Sequence, residues 1–550
     1  MHHLNTLLEA MGNAFTGPLL VALLLITGLY FSFYLGWPQI RYFRAAFRIL
    51  IGKSGTQTQQ GDTSPLQAIA TSLGGSVGTG SIAGVALAIH LGGPSSLFWM
   101  LVTALLGMTT KFVEVTLCHR YREQTADGSM AGGPMYYMDK QLKMPWLGKF
   151  FATVTLFAAF AAGTLPQTNS IANAMYYSFG ISEWLTAVVS SLCLGIIVVG
   201  GIRRIGQVAE RLMPLMALIY FVGVLAVVLH YSDRVLPAFL SIFSDVMSGT
   251  AAVGGFLGTS VVMALHQGIH RGFYSNEAGA GAAGITHASS QLDDSVEAGL
   301  LALLEPFIST MIICMLTGVA ILAGGAWTEC IDHKLEHVDI VVLQGEYDAA
   351  RAEEGAQLSA HFQGRACLPK FTGDLVVQEG RIQHPGITFT HARSVAADVR
   401  IYQGQELFTG TIPIYAGHVG LGASKLTFWG KSLLAGIDLV AHTFVASWLG
   451  KLGAYVLSIS LLLFAFTTII AWYYYGDRCL VYLGGARYLG IYRLVFVIMA
   501  STGALMDTTI VWNFSGITFA LMAVPNLIGM LLMRREMKHL LRTYQGLQKR

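Results

Sequence analysis

Two glycine-rich stretches, each inside a long apolar run, hold residues whose types and spacing could bind a small ligand. The first reads LGGSVGTGSIAG from Leu73 to Gly84, and the second reads RGFYSNEAGAGAAG from Arg271 to Gly284. Glycine at this density breaks a helix and frees backbone N–H and C=O groups that lipid cannot satisfy. In secondary transporters the substrate and the coupling ion satisfy such groups, whereas the alternative is close helix packing through small residues. Two such stretches in one chain favour ligand binding.

Polar side chains inside apolar runs are the next candidates. Glu277 lies in the second stretch, and an ionisable residue within a membrane is costly, which makes it a functional candidate. It could hold a cation, gate the pathway or carry a proton, and the structural alternative is a salt bridge to Arg271. Thr467 and Thr468 place two adjacent hydroxyls in the apolar sequence FAFTTII, and oxygen ligands suit a hard cation. The alternative for both threonines is a hydrogen bond to the preceding helical turn.

A further set of polar residues predicts structure rather than chemistry. Lys111 and Glu114 are three residues apart on one helix face, which predicts an ion pair near the inner membrane interface. Glu305 is expected close to the cytoplasmic end of its span, where snorkelling is the main alternative to a functional role. Whether Cys330 and Cys367 form a disulfide is left open by the sequence.

The composition excludes most soluble protein classes. Of 550 residues, 54% are hydrophobic and only 12% are charged, whereas a soluble domain carries about 25% charged residues. The formal net charge of +3 gives no signal for nucleic acid binding. The chain has no phosphate-binding loop of the GxxxxGK[ST] type and no nucleophile–His–Asp arrangement with local context. We therefore expect a polytopic α-helical membrane protein with no enzymatic activity and no organic cofactor.

About eleven apolar runs are long enough to cross a bilayer, since a spanning helix needs roughly 20 residues. We place them at 18–36, 66–90, 96–118, 149–178, 183–201, 207–230, 254–287, 299–323, 449–475, 488–506 and 508–533.

The distribution of basic residues predicts the orientation of these spans. If the first span runs from outside to inside, the short cytoplasmic segments hold 22 Lys and Arg residues and the short external loops hold one, Arg234. Short cytoplasmic loops carry an excess of Lys and Arg. The sequence therefore predicts an external N-terminus, a cytoplasmic C-terminus and a location in the plasma membrane, with a bacterial inner membrane favoured.

Residues 325–430 depart from the apolar pattern and hold 20 of the 65 charges of the chain. The sequence DVRIYQGQELFTGTIPIY alternates apolar and polar residues around a Gly-Gln turn, and GDLVVQEGRI is a second candidate β-hairpin. We expect a small, β-rich domain outside the membrane. Because it would fold on its own, we further expect that transport survives its replacement by a short linker.

Four segments follow from this organisation. We divide the chain into an N-terminal helix with a cytoplasmic linker (1–65), a transport core (66–324), the extracytoplasmic insert (325–430), and the remainder of the core with a basic cytoplasmic tail (431–550).

Four motifs resemble those of the alanine or glycine:cation symporter family, and they occur in the order of that family. They are the stretch from Gly78 to Glu123, then GGPMYYM, RGFYSNEAGAG and AFTTIIAWYYYGDRCLVYLGG. The resemblance implies a fold similar to that of the neurotransmitter:sodium symporters, with inverted five-helix repeats, two broken helices and one extra N-terminal helix. It also implies uptake of alanine or glycine with Na⁺. The insert departs from the family, in which this loop is usually short.

The resemblance also implies which residues bind the substrate. Ser81 stands where the family usually has asparagine, and Phe273 stands where leucine is usual. A smaller residue at position 81 either enlarges the pocket or removes one ion ligand. Phe273 and Met263 are candidates to limit pocket size. The substrate-binding residues implied by the motifs are Gly78, Thr79, Gly80, Ser81, Gln167, Phe273, Ser275 and Asn276.

The same resemblance implies a sodium site between two helices. In the related fold, the hydroxyls of Thr467 and Thr468 would lie beside backbone carbonyls of the first broken helix, from about Gly74 to Val77. Glu277 and Arg271 are the residues that we assign to gating or coupling.

The sequence thus predicts a secondary active symporter that takes up a small neutral amino acid with Na⁺. One alternative is a proton-coupled amino-acid carrier that uses Glu277. Another is a membrane receptor or sensor in which the insert binds the signal. The expected partners are the amino acid and the lipid bilayer, with no nucleic acid, and the sequence gives no oligomeric state.

Overall fold

The computed structural model of the protein describes residues 17–52, 61–126, 128–349, 351–363, 365–420, 426–506 and 508–548. The chain is mostly helical. In its first half the helices are α1 Pro18–Tyr34, α2 Pro38–Arg41, α3 Phe43–Leu50, α4 Pro65–Ser76, α5 Ala83–Gly92, α6 Ser95–Arg120, α7 Pro134–Lys140, α8 Pro145–Ala161, α9 Leu165–Phe179, α10 Glu183–Val198, α11 Gly201–His230, α12 Ser232–Ser244, α13 Val261–Asn276 and α14 Ala282–His287. In the second half they are α15 Ser295–Ala302, α16 Leu304–Pro306, α17 Met315–Gly324, α18 Ala352–Phe362, α19 Gly436–Val445, α20 Lys451–Gly484, α21 Leu489–Gly503, α22 Thr508–Leu532 and α23 Arg534–Gln548.

Six helical segments of the described chain are long and apolar enough to cross a membrane. They are Ser95–Arg120, Pro145–Tyr176, Gly201–His230, Ser295–Gly324, Lys451–Gly484 and Phe514–Leu532. Four further apolar helices, α1, α5, α10 and α19, are shorter than 18 residues. The chain is therefore a multi-pass membrane protein, whereas the count of eleven spans stays a prediction.

Both glycine-rich stretches interrupt helices, as the sequence predicts. In the first, α4 ends at Ser76, a 3₁₀ turn follows at Thr79–Ser81, and α5 begins at Ala83. In the second, α13 ends at Asn276 and α14 begins at Ala282. Each half of a broken helix has 16 residues or fewer, so neither half alone is a helix long enough to cross a membrane.

Two other predicted spans are less regular than the sequence suggests. The run at 149–178 divides into α8 and α9, with Ala162–Thr164 between them. The run at 299–323 contains a π-helical stretch at Phe307–Cys314 that follows Pro306. Proline removes a backbone donor, and apolar periodicity alone does not reveal a change from α-helical to π-helical hydrogen bonding.

The insert forms β-sheets with a hydrophobic core separate from that of the helices. A two-stranded ribbon within the helical part, β1 Glu123–Gln124 with β2 Met130–Ala131, precedes it in the chain. The strands of the insert are β3 Cys330–Leu335, β4 Ile340–Gln344, β5 Gly373–Gln378, β6 Arg381–Ile382, β7 Ile387–His391, β8 Ser394–Val395, β9 Ala397–Gln403, β10 Glu406–Leu407, β11 Gly410–Tyr415, β12 His418–Val419 and β13 Leu426–Leu433. One sheet has the order β12-β11-β5-β6-β9-β13-β3, with β10 paired to β9, and the other has the order β4-β7-β8.

The two hairpins predicted from the sequence are confirmed. Strand β9 pairs antiparallel with β10, and β5 pairs antiparallel with β6. Cys330 and Cys367, which the sequence left open as a disulfide, are both free and exposed. We call the end of the helices that carries the insert the insert side.

Candidate functional site

A small cavity lies where the two broken helices meet. Its volume is about 10 Å³, enough for about one water molecule, and its charged and amide side chains, Glu277 and Gln167, are 3% and 2% exposed. Both broken helices contribute to the wall, together with α8–α9, α20 and α22. The lining residues are Gly75, Ser76, Gly78, Gly80, Ala162, Gln167, Tyr274, Glu277, Thr468, Trp472 and Phe519.

The first break approaches its neighbours so closely that glycine is required at two positions. A Cβ atom on Gly78 would lie 2.6 Å from Thr468 Oγ1, and a Cβ atom on Gly80 would lie 2.8 Å from Tyr274 Cδ1. Both distances are too short for real carbon atoms. The glycines therefore bring peptide groups to the cavity wall that a side chain would otherwise cover.

Gln167 contacts the backbone of this break directly. Its Oε1 atom accepts a hydrogen bond of 3.2 Å from the backbone N–H of Thr79. The hydroxyl of Thr79 is buried and has no hydrogen-bond partner among the described residues. An amide that can donate and accept, beside an unsatisfied hydroxyl, is suited to a zwitterionic ligand.

Glu277 stands at the end of α13 with left-handed backbone angles, since its φ is 53°. This conformation is uncommon for a residue other than glycine and is often found where function constrains the backbone. The indole Nε1 of Trp472 donates a 3.1 Å hydrogen bond to Oε1, and Oε2 is buried without a hydrogen-bond partner in the described chain. Arg271 lies near the other broken helix, with its Cδ atom 4.0 Å from where a Cβ of Gly84 would stand. The Oε2 atom of Glu277 is therefore available to contact a ligand in the cavity.

The two threonines predicted to bind sodium have different surroundings. The Thr468 hydroxyl donates to the Gly74 carbonyl at 2.8 Å across the helix interface, and it also lies 3.0 Å from Phe464 O. The Thr467 hydroxyl donates into its own helix, at 2.9 Å from Phe464 O. Both hydroxyls therefore lie within hydrogen-bond distance of the Phe464 carbonyl, which was their structural alternative, and Thr468 in addition reaches the Gly74 carbonyl of the first broken helix. Val77, at the end of α4, belongs to the same break.

Four residues implied by the family motifs lie behind the cavity wall. The hydroxyls of Ser81 and Ser275 are 3.0 Å apart, and Ser275 is also 3.0 Å from the Cys314 sulfur. Asn276 accepts a hydrogen bond from the backbone N–H of Ala278. The Phe273 ring meets the Phe519 ring edge to face at 4.9 Å. These residues support the wall rather than form it.

The expected ion pair between Lys111 and Glu114 is replaced by other partners. Lys111 Nζ lies 2.9 Å from Glu305, which is fully buried and also 2.6 Å from the His287 ring. Glu114 accepts hydrogen bonds from the backbone N–H groups of the second break instead. The helical spacing was correct, but segments remote in sequence present other partners, Glu305 of α16 to Lys111 and the second break to Glu114.

Sequence reasoning did not select Ala162, Tyr274, Trp472 and Phe519 as wall residues. Tyr274 and Trp472 lie inside two of the family motifs, and this position could have identified them as candidate wall residues. Ala162 lies at the interruption between α8 and α9, which the apolar pattern hid. Phe519 is one of many aromatic residues in an apolar helix, and no sequence signal distinguishes it.

The sequence was also compared with known proteins. A family model described as the sodium:alanine symporter family matches residues 1–345 and 409–550. An uncharacterized transporter from Haemophilus influenzae is 32% identical over 533 residues, which cover 97% of this chain and 94% of that protein. The sodium/alanine symporter AgcS from Methanococcus maripaludis is 31% identical over 526 residues, covering 95% and 93% of the two chains. A putative sodium/proton-dependent alanine carrier protein, YrbD from Bacillus subtilis, is 28% identical over 536 residues, covering 96% and 90%.

Proposed function

The chain belongs to the sodium:alanine symporter family, and we propose that it takes up alanine or glycine together with Na⁺ across the plasma membrane. Its family and relatives are transporters, so the protein is a carrier of amino acids rather than an enzyme. The observation that supports this substrate class best is the cavity between the two broken helices, with Gln167 and Glu277 in its wall. The cavity has room for about one water molecule in this conformation, so the smallest amino acids need the least rearrangement to enter it.

The chemistry of the wall suits both ends of an amino acid. We propose that the substrate carboxylate meets backbone N–H groups of the first break, because free N–H groups at a helix start favour anions. The ammonium group would meet backbone carbonyls and the Oε1 atom of Gln167. The free oxygen of Glu277 supplies a negative charge in the same cavity. The rings of Trp472 and Phe519 line the same cavity and would limit the size of the substrate side chain.

We propose that Na⁺ binds at the junction of α4 and α20. The Gly74 carbonyl and the Thr468 hydroxyl already lie 2.8 Å apart, and both are oxygen ligands of the kind that Na⁺ prefers. The Val77 carbonyl is the third candidate. Thr467 is a weaker candidate than Thr468, because its hydroxyl donates to carbonyls of its own helix, whereas the Thr468 hydroxyl also reaches the Gly74 carbonyl of α4.

A proton-coupled mechanism is the second candidate function. The buried and unpartnered Oε2 atom of Glu277 favours it, because a carboxylate in an apolar cavity can alternate between its charged and neutral forms. The name of one relative, a putative sodium/proton-dependent alanine carrier protein, includes both Na⁺ and the proton. We further propose that the insert side is external and the C-terminus cytoplasmic, on the basis of the distribution of Lys and Arg.

Uptake by the purified protein in proteoliposomes tests these proposals. Radiolabelled alanine and glycine should accumulate when a Na⁺ gradient is imposed at equal pH on both sides. Unlabelled serine and glutamine should serve as competitors that measure pocket size. Accumulation driven by a pH gradient without Na⁺, and abolished by Glu277→Gln, would establish the proton mechanism instead. If neither gradient drives accumulation of any of these amino acids, the proposed substrate class is wrong.

A further inference from the structure

The insert touches the transport core through a tight turn between β7 and β8. Residues Ala392 and Arg393 form this two-residue connection, and their φ angles are 46° and 63°. Such a turn normally carries Asn-Gly, because both positions need left-handed backbone angles that side chains disfavour. Alanine and arginine are therefore strained choices. Strain of this kind persists where the surrounding structure holds it and often has a function.

The side chain of Arg393 reaches the insert-side ends of both broken helices. Its Nη1 atom donates a 3.0 Å hydrogen bond to the carbonyl of Leu91, in the last turn of α5. Its Nη2 atom lies 3.3 Å from the sulfur of Met263, in the first turn of α13, and donates to the carbonyl of Phe362 at 2.9 Å. The last carbonyls of a helix lack partners within the helix and carry partial negative charge. One guanidinium thus joins α5, α13 and the insert.

The guanidinium is charged in this position. Burial lowers the pKa of Arg393 to about 10, which leaves the side chain protonated at neutral pH. Hydrogen bonds from a charged donor are roughly twice as strong as neutral ones. The contact can therefore favour one arrangement of the two half-helices over another.

The turn is fixed to the membrane helices and does not project freely. The Ser394 hydroxyl accepts a 3.0 Å hydrogen bond from the backbone N–H of Leu433, and the His391 ring lies 2.9 Å from the Ser432 hydroxyl. Both partners belong to β13, which leads directly into α19, and α19 packs against α5. A movement of α5 therefore has to break or carry the Arg393 contact.

Arg393 also lies outside the part of the chain that the family model describes. That model passes from residue 345 to residue 409, so both turn residues belong to the unmatched segment. The family model therefore describes both broken helices but not the Arg393 contact that joins them.

We infer, on the basis of the proposed function, that Arg393 is a clamp that holds the insert side of the transport pathway closed. In this role the insert is part of the transport cycle. The half-helices α5 and α13 must separate at their insert-side ends to admit substrate from that side, and the Leu91 and Met263 contacts oppose the separation. This leads us to expect altered transport when the insert is replaced by a linker, contrary to the expectation from sequence alone.

Access to the cavity from the insert side measures the clamp directly. The reporter is Ala162→Cys, because Ala162 lines the cavity and is 2% exposed. It is placed in a chain whose exposed cysteines, Cys193, Cys330 and Cys367, are replaced by serine. A membrane-impermeant thiol reagent is applied to intact cells and, separately, to inverted vesicles, so that each side is measured alone.

Two variants remove the guanidinium in different ways. Arg393→Ala deletes it, and the double change Ala392→Asn with Arg393→Gly deletes it while giving the turn its preferred residues. The matched control is Arg381→Ala, which removes an exposed arginine of the same insert. We expect both turn variants to label about tenfold faster from the insert side, which corresponds to about 1.4 kcal/mol, and the control to label as the parent does.

Several results would overturn the clamp. One is unchanged labelling in the Asn-Gly variant, which keeps the hairpin whether or not Arg393→Ala folds. Another is an equal acceleration in Arg381→Ala, which would indicate general loosening of the insert. Labelling needs no substrate, so the clamp is tested even if the chain carries neither alanine nor glycine. Faster labelling together with absent amino-acid uptake in the parent chain would support the clamp and reject the proposed function.

Discussion

The two broken helices satisfy their freed backbone groups in different ways. At the second break, the Glu114 carboxylate accepts hydrogen bonds from the N–H groups of Gly279 and Gly281, both at 3.0 Å, and from Asn526 at 3.1 Å. At the first break, the partners are neutral side chains, namely Gln167 on the N–H of Thr79 and Thr468 on the carbonyl of Gly74.

This difference indicates that the second break is mainly structural and that the first break binds the ligand. A buried carboxylate with several charge-assisted bonds is a fixed partner, because removing it exposes every donor that it serves. A neutral amide or hydroxyl exchanges partners at lower cost, so a substrate or an ion can replace it. The second break holds Glu277 in a fixed backbone. The backbone groups of the first break are the ones that we expect to contact the ligand.

The largest expected effect is at Glu114. Glu114→Gln keeps the shape but replaces one accepting oxygen by a donor, which faces the N–H groups of the second break. We expect the free energy of unfolding to fall by about 3 kcal/mol or more, as when one partner of a buried charged contact is lost. Thermal unfolding of the solubilised protein measures this.

The control for that experiment is Glu123→Gln, which removes a carboxylate from a surface ion pair with Lys140. Exposed pairs of this kind contribute about 0–1 kcal/mol. If the two variants unfold alike, the second break is not held by Glu114 and the contrast between the breaks fails.

Gln167 tests the prediction that the first break binds the substrate. Gln167→Ala removes the amide at the first break, and we expect the KM for alanine to rise at least about tenfold, or about 1.4 kcal/mol. Gln141→Ala, at an exposed position, should leave the KM unchanged. A lower unfolding temperature without any change in KM would mean that Gln167 only supports the backbone.

Thr468 and Thr467 are adjacent residues for which we expect different effects. Thr468→Val removes the hydroxyl that faces Gly74, and we expect the apparent Na⁺ affinity to fall about tenfold. Thr467→Val keeps β-branching in the same helix and removes a hydroxyl that is bonded locally, so we expect less than a threefold change. Na⁺ dependence of uptake at fixed alanine measures both.

The double variant, with both threonines changed to valine, should match Thr468→Val alone. Two single variants with equal losses would restore the sequence-based assignment of both hydroxyls to the ion. Unchanged Na⁺ dependence in a well-folded double variant would contradict a sodium site here.

The smallest expected effect on transport is at Ser81. The structure places Ser81 behind the wall, where it is fully buried against Ser275. Ser81→Asn adds an amide group to this packed contact, so we expect a loss of about 1–3 kcal/mol in stability with little change in Na⁺ affinity. Unfolding and Na⁺ titration distinguish the outcomes. A narrower substrate range would place position 81 at the pocket, and a higher Na⁺ affinity would make it an ion ligand.

Much of the candidate site could be predicted from local sequence. Glycine clusters revealed both breaks, because no other residue allows a helix to unwind and then approach neighbouring side chains closely. An isolated carboxylate in an apolar run identified Glu277, and adjacent hydroxyls identified the Thr467–Thr468 pair. Strand alternation around Gly-Gln predicted the β9–β10 hairpin. Each of these signals is contained within about ten consecutive residues.

The remaining features depend on residues that are far apart in the chain. Lys111 and Glu114 were paired by helical spacing, but Glu305 and the Gly279 and Gly281 N–H groups are better partners that only folding brings near. Phe519 carries no signal of its own and becomes a wall residue because its ring meets Phe273 and Tyr274 of α13. The division between Thr467 and Thr468 depends on the rotation of α20 relative to α4.

The sequence by itself therefore determined the class of molecule, the positions of the two breaks and the kinds of groups offered to a ligand, because composition and glycine spacing act locally on the backbone. Only the tertiary structure decided which break is satisfied by a fixed carboxylate and which by exchangeable neutral groups. It also decided that an arginine of the insert contacts both broken helices. These choices arise from hydrogen bonds between residues 88 to 394 positions apart in the chain, whose geometry is set by helix packing and not by the order of the residues.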